Sequence, residues 1–281
     1  MSEQLMPQHI NITEENVKGN NGIGRYIFLT GSNERAEKIS ESFLEKEIYP
    51  HPRHHNFYQG KLGRGKDQID VAAISTGMGG PSADIIINEL LMLGARRLLR
   101  VGTAGSLQSS QIKVGDIVVA TGAVRDDKAS WDYIYKEYPA IASFEYLKAI
   151  QGAVNLNVTS HKRIHFGLVH SKSSLYAREL HCSLLAENDN YMAVMQNAGV
   201  LATEMECAQL FTLASLNTAK LLREQQSKPL VHAGAILAII GDDCAFSENT
   251  HLMQQAIQNS ILLSIEATWQ MNVQDCKVKN T

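Results

Sequence analysis

The chain has 281 residues, of which 44% are hydrophobic and 20% charged, and its formal net charge is −3. These values fit one large α/β domain with a buried core, and no apolar run reaches the ~20 residues that span a bilayer. The sequence has no basic block, so we expect neither a nucleic acid nor an anionic membrane as a partner. The four cysteines form no CxxC pair and the N-terminus is polar, so we expect reduced thiols, no signal peptide and a cytoplasmic protein.

The first strand and the turn that follows it carry a candidate anion site. Tyr26–Leu29 predicts a strand, and Gly31 follows it. Ser32 is a suitable N-cap for a helix that would run through Glu47. The N-terminus of such a helix binds anions, and Arg35 lies one turn in, where it would add a full charge. The alternative is an ordinary capped surface helix with a solvated arginine.

Two glycine-rich turns flank one predicted helix and form the most informative part of the chain. A short apolar strand ends at Ser75–Pro81, STGMGGP, and an apolar helix follows. Arg97–Val101 predicts the next strand, which would break at Gly102–Gly105, GTAG. Ligands of open α/β sheets bind beyond the carboxyl ends of the strands, so both turns are expected at a site. Arg100 is a lone cation near the end of this apolar strand.

Strands and helices alternate through the rest of the chain, which predicts a single α/β domain of 281 residues. We expect residues 1–25 to run over the surface and residues 272–281 to be a frayed tail. The remaining predicted strands are 116–124, 165–170 and 232–240, and the remaining predicted helices are 144–157, one from about 207 to 226 and one from about 248 to 270.

Carboxylates also fall near predicted strand ends. Glu204 and Glu206 alternate along an extended segment, so they would point to opposite sides, one into the site and one into the structure. Asp242 follows the strand HAGAILAII-G; its alternative is a turn or helix-capping aspartate. Any one of these residues alone fits a surface ion pair. Their joint appearance at strand ends is better explained by a site. Arg35 and Arg100, whose planar donor forks match phosphate oxygens, predict an oxyanion cradle together with the helix N-terminus and the glycine turn.

The motifs STGMGGPS and LRVGTAGSLQ are similar to the signature of the uridine phosphorylase and purine nucleoside phosphorylase family, and matching pieces recur from about Tyr26 to Glu248. The resemblance implies a single-domain, three-layer α/β/α fold with a central mixed, partly barrel-like sheet. It also implies a reaction in which inorganic phosphate, as co-substrate, attacks the anomeric carbon of a nucleoside while the base leaves, with no metal or organic cofactor. Sites of this family are completed by a neighbour, which implies a homodimer or a hexamer built as a trimer of dimers.

The resemblance assigns roles residue by residue. The phosphate-binding positions are Gly31, Arg35, Arg100 and Thr103. The ribose-binding positions are Glu204, Met205 and Glu206, with His9 as a weaker match to a histidine that reaches a neighbour's sugar. The base-binding positions are Ala104, Gly105, Leu175, Tyr176 and Asp242. Arg100, Glu206 and Asp242 are the expected catalytic groups.

The base pocket departs from the pyrimidine pattern. Uridine phosphorylases read uracil with a glutamine and an arginine, and neither is in place in the corresponding run Leu175–Leu180, LYAREL. Their second pocket arginine falls at Asp243. In purine-specific relatives an aspartate at the end of the last strand protonates purine N7, and Asp242 fits that position. The sequence therefore favours a purine, with uridine phosphorylase proper as the alternative.

Two further departures concern phosphate and chain length. The arginine that the family donates across the dimer to phosphate is replaced by His55, with Arg53 two residues earlier. This histidine-rich loop has no carboxylate or cysteine at ligand spacing, so no metal site is expected there. Extra residues near Ala219–Pro229 would reshape the entrance or a subunit contact.

Three other functions compete with the phosphorylase hypothesis. A nucleoside hydrolase of the same fold is disfavoured because it has no phosphate for Arg35 and Arg100 to hold. A non-catalytic nucleoside-binding protein remains open because the pyrimidine contacts are missing. A dinucleotide oxidoreductase is disfavoured because the turn reads GMGGPS rather than GxGxxG.

Overall fold

The computed structural model describes residues 6–159, 163–226, 228–242 and 246–279. The strands are β1 (Tyr26–Thr30), β2 (Leu44–Tyr49), β3 (Phe57–Arg64), β4 (Asp67–Ser75), β5 (Arg97–Ser106), β6 (Ile117–Asp126), β7 (Ala140–Ile141), β8 (Ile164–Lys172), β9 (Ala202–Glu204) and β10 (His232–Gly241). The helices are α1 (Glu14–Val17), α2 (Asn33–Ser40), α3 (Gly80–Met92), α4 (Lys128–Trp131), α5 (Phe144–Asn155), α6 (Leu175–Glu179), α7 (Glu187–Asn197), α8 (Cys207–Arg223) and α9 (Thr250–Lys279). Within the described ranges, no helix has the length and apolar character that crossing a membrane requires.

One mixed sheet contains all of these strands and closes on itself at one end. β5 pairs in parallel with β10 and antiparallel with β9, while β10 pairs with β6, β6 with β8, and β8 with β9. These five strands therefore form a closed, barrel-like ring. β1, β4, β3 and β2 continue the sheet outward from β5. The predicted mixed, partly barrel-like sheet is confirmed.

Helices cover both faces of the sheet, each over its own apolar cluster. On one face α3 and α8 bury Ile86, Leu90 and Phe211. The other face is covered by α2, α5 and α9, and Ile39 and Tyr146 are buried between these helices and the sheet. Each such side chain removed from water stabilises the fold by roughly 1.5–3 kcal/mol. The predicted three-layer arrangement is therefore confirmed.

The strand β2 occupies residues that the sequence assigns to a helix. The helix after Ser32 ends at Ser40 instead of continuing to Glu47, and Leu44–Tyr49 pairs antiparallel with β3. The two strands approach so closely that a Cβ on Gly60 would lie 2.7 Å from the carbonyl oxygen of Leu44. The charged run LEKEIY looks helical in isolation, but it is an exposed edge strand whose partner lies farther along the chain.

The two ends of the chain are more ordered than the sequence suggests. The sequence predicts that residues 1–25 run over the surface, but within residues 6–25 the side chains of Ile10 and Val17 are buried in the core. At the other end α9 extends to Lys279, so the prediction of a frayed tail is wrong for residues 272–279. The reason is Asp275, whose carboxylate is buried and paired within the core.

Candidate active site

Arg100 lies in β5 with only 4% of its surface exposed. Its Nη2 donates to the carboxylate of Glu206, and its Nε lies 3.3 Å from Oε2 of Glu204 without forming a hydrogen bond. Burial acts to lower the pKa of Arg100, but the two carboxylates outweigh burial and raise it. Nη1 is buried and has no hydrogen-bond partner among the described residues. A buried, charged donor without a partner is costly, and a ligand that accepts hydrogen bonds would remove that cost.

A glycine makes room for this guanidinium. The sequence predicts that the strand breaks at Gly102, but β5 continues without interruption to Ser106. A Cβ on Gly102 would lie 2.9 Å from Nη2 and 3.0 Å from Cζ of Arg100. The glycine therefore serves close packing of the arginine rather than a turn, a role that the sequence pattern does not reveal.

Arg35 stands beside Arg100. The hydroxyl of Ser32 caps α2 by accepting from the backbone N–H of Arg35 at 3.4 Å, as predicted, and Arg35 Nη1 donates to the carbonyl of Val101 at 3.5 Å. Burial, and next the positive charge of Arg100, lower the pKa of Arg35 to about 10. Two guanidinium groups held this close repel one another, and an anion between them would relieve the repulsion.

The glycine turn before α3 faces the same carboxylate as Arg100. The backbone N–H of Gly79 donates to Oε1 of Glu206. Gly77 and Gly79 have φ angles of 70° and 83°, which only glycine adopts readily. The methyl group of Met205 would lie 3.8 Å from a Cβ on Gly79, so Met205 packs on the turn. Thr103 lies along the same strand as Arg100 and is partly exposed.

Glu204 and Glu206 do not point to opposite sides, so that prediction is wrong. The extended backbone ends at Glu204, and Glu206 begins the turn into α8 with φ −138° and ψ −14°. Both carboxylates consequently face Arg100. Burial, with the negative charge of Glu204 acting in the same direction against the influence of Arg100, raises the pKa of Glu206.

Glu204 has a structural role in the described chain. Its carboxylate accepts from the backbone N–H groups of Glu206 at 2.8 Å and Cys207 at 2.9 Å, and from the hydroxyl of Ser171. It therefore satisfies the first amides of α8, as helix-capping carboxylates do. Its side chain is fully buried.

The candidate residues of the histidine loop separate in the structure. His55 lies against the glycine turn, where its Nδ1–H donates to the carbonyl of Ser75 at 2.9 Å. Burial lowers the pKa of His55. Arg53 is exposed to solvent. His9, from the N-terminal segment, is held by α3, with Nδ1 2.8 Å from Oε1 of Glu89 in the second half of that helix.

A cavity of about 360 Å³ opens beyond the ends of β5 and β10. Its lining includes two of the predicted base-binding residues, Gly105 and Asp242. Oδ2 of Asp242 accepts from the backbone N–H of Val114 at 3.3 Å, so this carboxylate also holds a loop. A larger cavity of about 500 Å³ beside Trp269 contains none of the predicted site residues.

The other predicted base-binding residues do not line this cavity. Ala104 is buried behind it. Leu175 and Tyr176 begin α6 outside it, and Tyr176 is 65% exposed. Asp243, the position of the second pocket arginine in uridine phosphorylases, lies outside the described residues.

The amino-acid sequence matches a known protein family over most of its length. Residues 25–259 match the family model of the phosphorylase superfamily. The chain belongs to this superfamily. It is 32% identical over 260 residues to uridine phosphorylase of Treponema pallidum (strain Nichols), covering 90% of this chain and 92% of that protein.

Other similar phosphorylases differ in the base that their names specify. The chain is 33% identical over 186 residues to guanosine phosphorylase of Halorubrum lacusprofundi, covering 66% of this chain and 70% of that protein. The crystal structure of uridine phosphorylase from Vibrio fischeri ES114 superimposes with a TM-score of 0.74 at 26% identity, covering 95% of this chain and 98% of that one. The predicted nucleoside phosphorylase family and its fold are confirmed.

The cavity of this superfamily member also contains groups that the sequence analysis did not assign. Glu179 and Thr203 line it, and the buried ammonium of Lys172 pairs with Glu179 and donates to Oγ1 of Thr203 at 3.0 Å. Glu179 falls in the run LYAREL that departs from the pyrimidine pattern. That departure is the one signal in the sequence that points to Glu179. Its contacts with Lys172 and Thr203 join α6, β8 and β9, which only the fold brings together.

Proposed function

We propose that the chain is a nucleoside phosphorylase, which cleaves the N-glycosidic bond of a ribonucleoside or deoxyribonucleoside with inorganic phosphate and releases the free base and the sugar 1-phosphate. The observation that carries this proposal is the buried guanidinium of Arg100, whose Nη1 has no hydrogen-bond partner within the described chain. Phosphate supplies acceptor oxygens and negative charge, and an arginine fork matches both.

In this proposal two cations hold the nucleophile. Arg100 and Arg35 bind phosphate oxygens, Gly31 and the first amides of α2 approach it with backbone N–H groups, and Thr103 offers a hydroxyl. Fixing the phosphate beneath the sugar converts a bimolecular encounter into a positioned attack. Of the two loop candidates, His55 lies next to the glycine turn of its own chain, whereas the exposed Arg53 could contact phosphate only in a neighbour's site or after a shift of its loop.

The same proposal assigns the sugar to Glu206 and Met205. One carboxylate oxygen of Glu206 is held by the amide of Gly79 and the other by Arg100, so the carboxylate is fixed in place. It can accept hydrogen bonds from two adjacent ribose hydroxyls, and its negative charge stabilises an oxocarbenium-like transition state. Glu204 contributes by holding the start of α8 rather than by touching the sugar.

We place the base in the cavity next to Gly105, with Asp242 as the group that would protonate a purine at N7. Uridine phosphorylase proper is the second candidate, since uridine phosphorylases are among the similar proteins. In this proposal the reaction uses inorganic phosphate as co-substrate and needs no metal or organic cofactor.

We also propose an oligomer based on a homodimer. Glu89 holds the ring of His9 on α3, nine residues beyond the start of that helix at Gly80. From there His9 would serve a neighbour's sugar more readily than its own.

A panel of nucleosides tests the proposed function. Uridine, thymidine, inosine, adenosine and guanosine are incubated with the enzyme, each with and without phosphate, and free base and sugar 1-phosphate are measured. A phosphorylase releases base only with phosphate and forms sugar 1-phosphate in equal amount. Base release that is independent of phosphate would instead indicate a hydrolase, and no release from any nucleoside would indicate a binding protein.

A further inference from the structure

Glu179 presents one unused carboxylate oxygen to the cavity. Its Oε1 pairs with the buried ammonium of Lys172, and Oγ1 of Thr203 lies 3.4 Å from the same oxygen. Its Oε2 makes no hydrogen bond with the rest of the described chain. The side chain is 12% exposed, and it lines the open cavity.

The position of Oε2 is fixed relative to the cavity wall. A Cβ on Gly105 would lie 3.5 Å from Oε2, and both residues line the cavity. Because Gly105 has no side chain, the space in front of Oε2 is open to a flat ligand. Asp242 contributes a second carboxylate to the same wall.

The nearby cation, Arg178, is already engaged through all three of its nitrogens. Nε and Nη2 of Arg178 each donate to Asp126 at 2.8 Å, and Nη1 donates to Asn188. Its guanidinium also stacks on Tyr191, 4.1 Å from the ring centroid. Arg178 therefore holds the wall of the cavity together, and Oε2 of Glu179 stays available as an acceptor beside Gly105.

We propose that Glu179 is a specificity-determining residue that reads the edge of the nucleobase and selects a 2-amino-6-oxopurine, the base of guanosine. This inference rests on the proposed function and names its substrate class. A carboxylate only accepts hydrogen bonds. Guanine offers two adjacent donors, the ring N1–H and the 2-amino group, and Oε2 can accept from both.

The same chemistry rejects other bases. Uracil and xanthine each present one ring N–H between two carbonyl oxygens, so a carboxylate that meets this edge also faces a carbonyl and gains at most one hydrogen bond. Hypoxanthine has N1–H but no 2-amino group, so the nucleoside that carries it, inosine, should rank between guanosine and the other two as a substrate. A site built to accept from a donor discriminates strongly against an analogue that lacks it, because a polar group is left unpaired.

Kinetics on four nucleosides test the inference. The value of kcat/KM with phosphate is measured for guanosine, inosine, xanthosine and uridine with the wild type, Glu179→Gln and, as a matched control, Glu187→Gln, whose exposed carboxylate begins α7 outside the cavity. We expect the wild type to prefer guanosine, followed by inosine. Glu179→Gln should lower kcat/KM for guanosine by about 10- to 100-fold, the value of a charge-assisted hydrogen bond, and should shift preference toward uridine. Glu187→Gln should leave the ranking unchanged.

A wild type that cleaves uridine or xanthosine as well as guanosine would overturn the inference while leaving the phosphorylase reaction intact. An unchanged ranking in Glu179→Gln would overturn it too. If no nucleoside is cleaved with phosphate, the proposed function fails, and titration calorimetry of guanosine and uridine with the wild type then decides the inference: tighter guanosine binding supports it and equal binding refutes it. That titration also decides if Glu179→Gln does not fold.

Discussion

Arg100 and Glu206 form a buried ion pair in which the guanidinium donates through Nη2 and keeps Nη1 without a partner in the described chain. The pair thus fixes a carboxylate and leaves donors for an anion at the same time. In the proposed reaction the carboxylate holds the sugar and the donors hold phosphate. The ion pair would therefore set the distance between nucleophile and anomeric carbon.

The different surroundings of the two glutamates predict different effects of their removal. Glu206→Gln should lower kcat/KM by about 10²–10³-fold, as loss of one transition-state contact does, and by more than Glu204→Gln does. Glu204→Gln should lower the free energy of unfolding by about 1–3 kcal/mol, because it weakens the cap of α8. Urea unfolding and kinetics on both variants measure the two effects. Equal loss of activity and equal loss of stability in both variants would contradict the division of roles.

The pKa of His55 predicts how anion affinity depends on pH. Burial lowers this pKa below the usual 6.5, and the charges of His51 and His9 act in the same direction, so the ring is neutral at pH 7 and becomes charged only on acidification. Sulfate, which stays doubly charged between pH 8 and about pH 5 unlike phosphate, should therefore bind more tightly as the pH falls through that pKa. Titration calorimetry with wild type and His55→Gln measures this. The same pH dependence in both proteins would exclude His55 as its source.

Asp126 is expected to be a stability determinant of the cavity wall. Burial alone would raise its pKa, but hydrogen bonds from His170 and Arg178 outweigh burial and lower it. A lowered carboxyl pKa contributes stability above its usual value of 3.8 and loses that contribution as the pH falls through the folded-state pKa. Asp126→Asn should therefore lower the free energy of unfolding at pH 7 by about 3 kcal/mol, because it leaves Arg178 without its charged partner.

Urea unfolding of wild type and Asp126→Asn at several pH values measures this difference. The gap between the two should shrink as the pH falls from about 3.8, the usual pKa that the unfolded chain keeps, toward the lower pKa of the folded carboxylate. Asp132→Asn removes an exposed carboxylate from the same region and is the matched control. A gap that is constant from pH 7 to pH 3 would show that the charge of Asp126 is not the cause.

The last turns of α9 should be needed for a stable fold. Asp275 accepts from Nε of Arg97 at 2.9 Å and from Nη2 at 2.6 Å, and the hydroxyl of Tyr26 donates to it at 2.9 Å. Asp275→Asn should lower the free energy of unfolding by about 3 kcal/mol, since a buried arginine loses its partner. Lys277→Gln, at an exposed position of the same helix, should change it little. Denaturant unfolding of both variants compares them, and equal stability would contradict the anchoring role.

The sequence predicts the parts of this fold and site that rest on local signals. The glycine turn before α3 and the unusual cation Arg100 are both visible in the sequence, and so is the N-cap Ser32. Glycine, proline and capping residues act on their immediate neighbours, so their effect does not depend on the rest of the fold.

What the sequence could not reveal depends on distant partners. The edge strand β2 needs β3, and the order of the C-terminal residues needs the ion pair of Arg97 with Asp275, 178 residues away. The common orientation of Glu204 and Glu206 depends on where β9 ends, which periodicity does not fix to one residue. Glu179 acquires its candidate role only when Lys172 and Gly105 are brought beside it.

The most direct test is the binding of inorganic phosphate, measured by titration calorimetry, to the wild type and to Arg100→Met, with Arg163→Met as the control for an arginine with an exposed side chain. The wild type and the control should bind phosphate with similar affinity. Arg100→Met should lose at least about tenfold, the value of one charge-assisted hydrogen bond, and should lose phosphate-dependent base release with it. Equal phosphate affinity in the wild type and in correctly folded Arg100→Met would contradict the account.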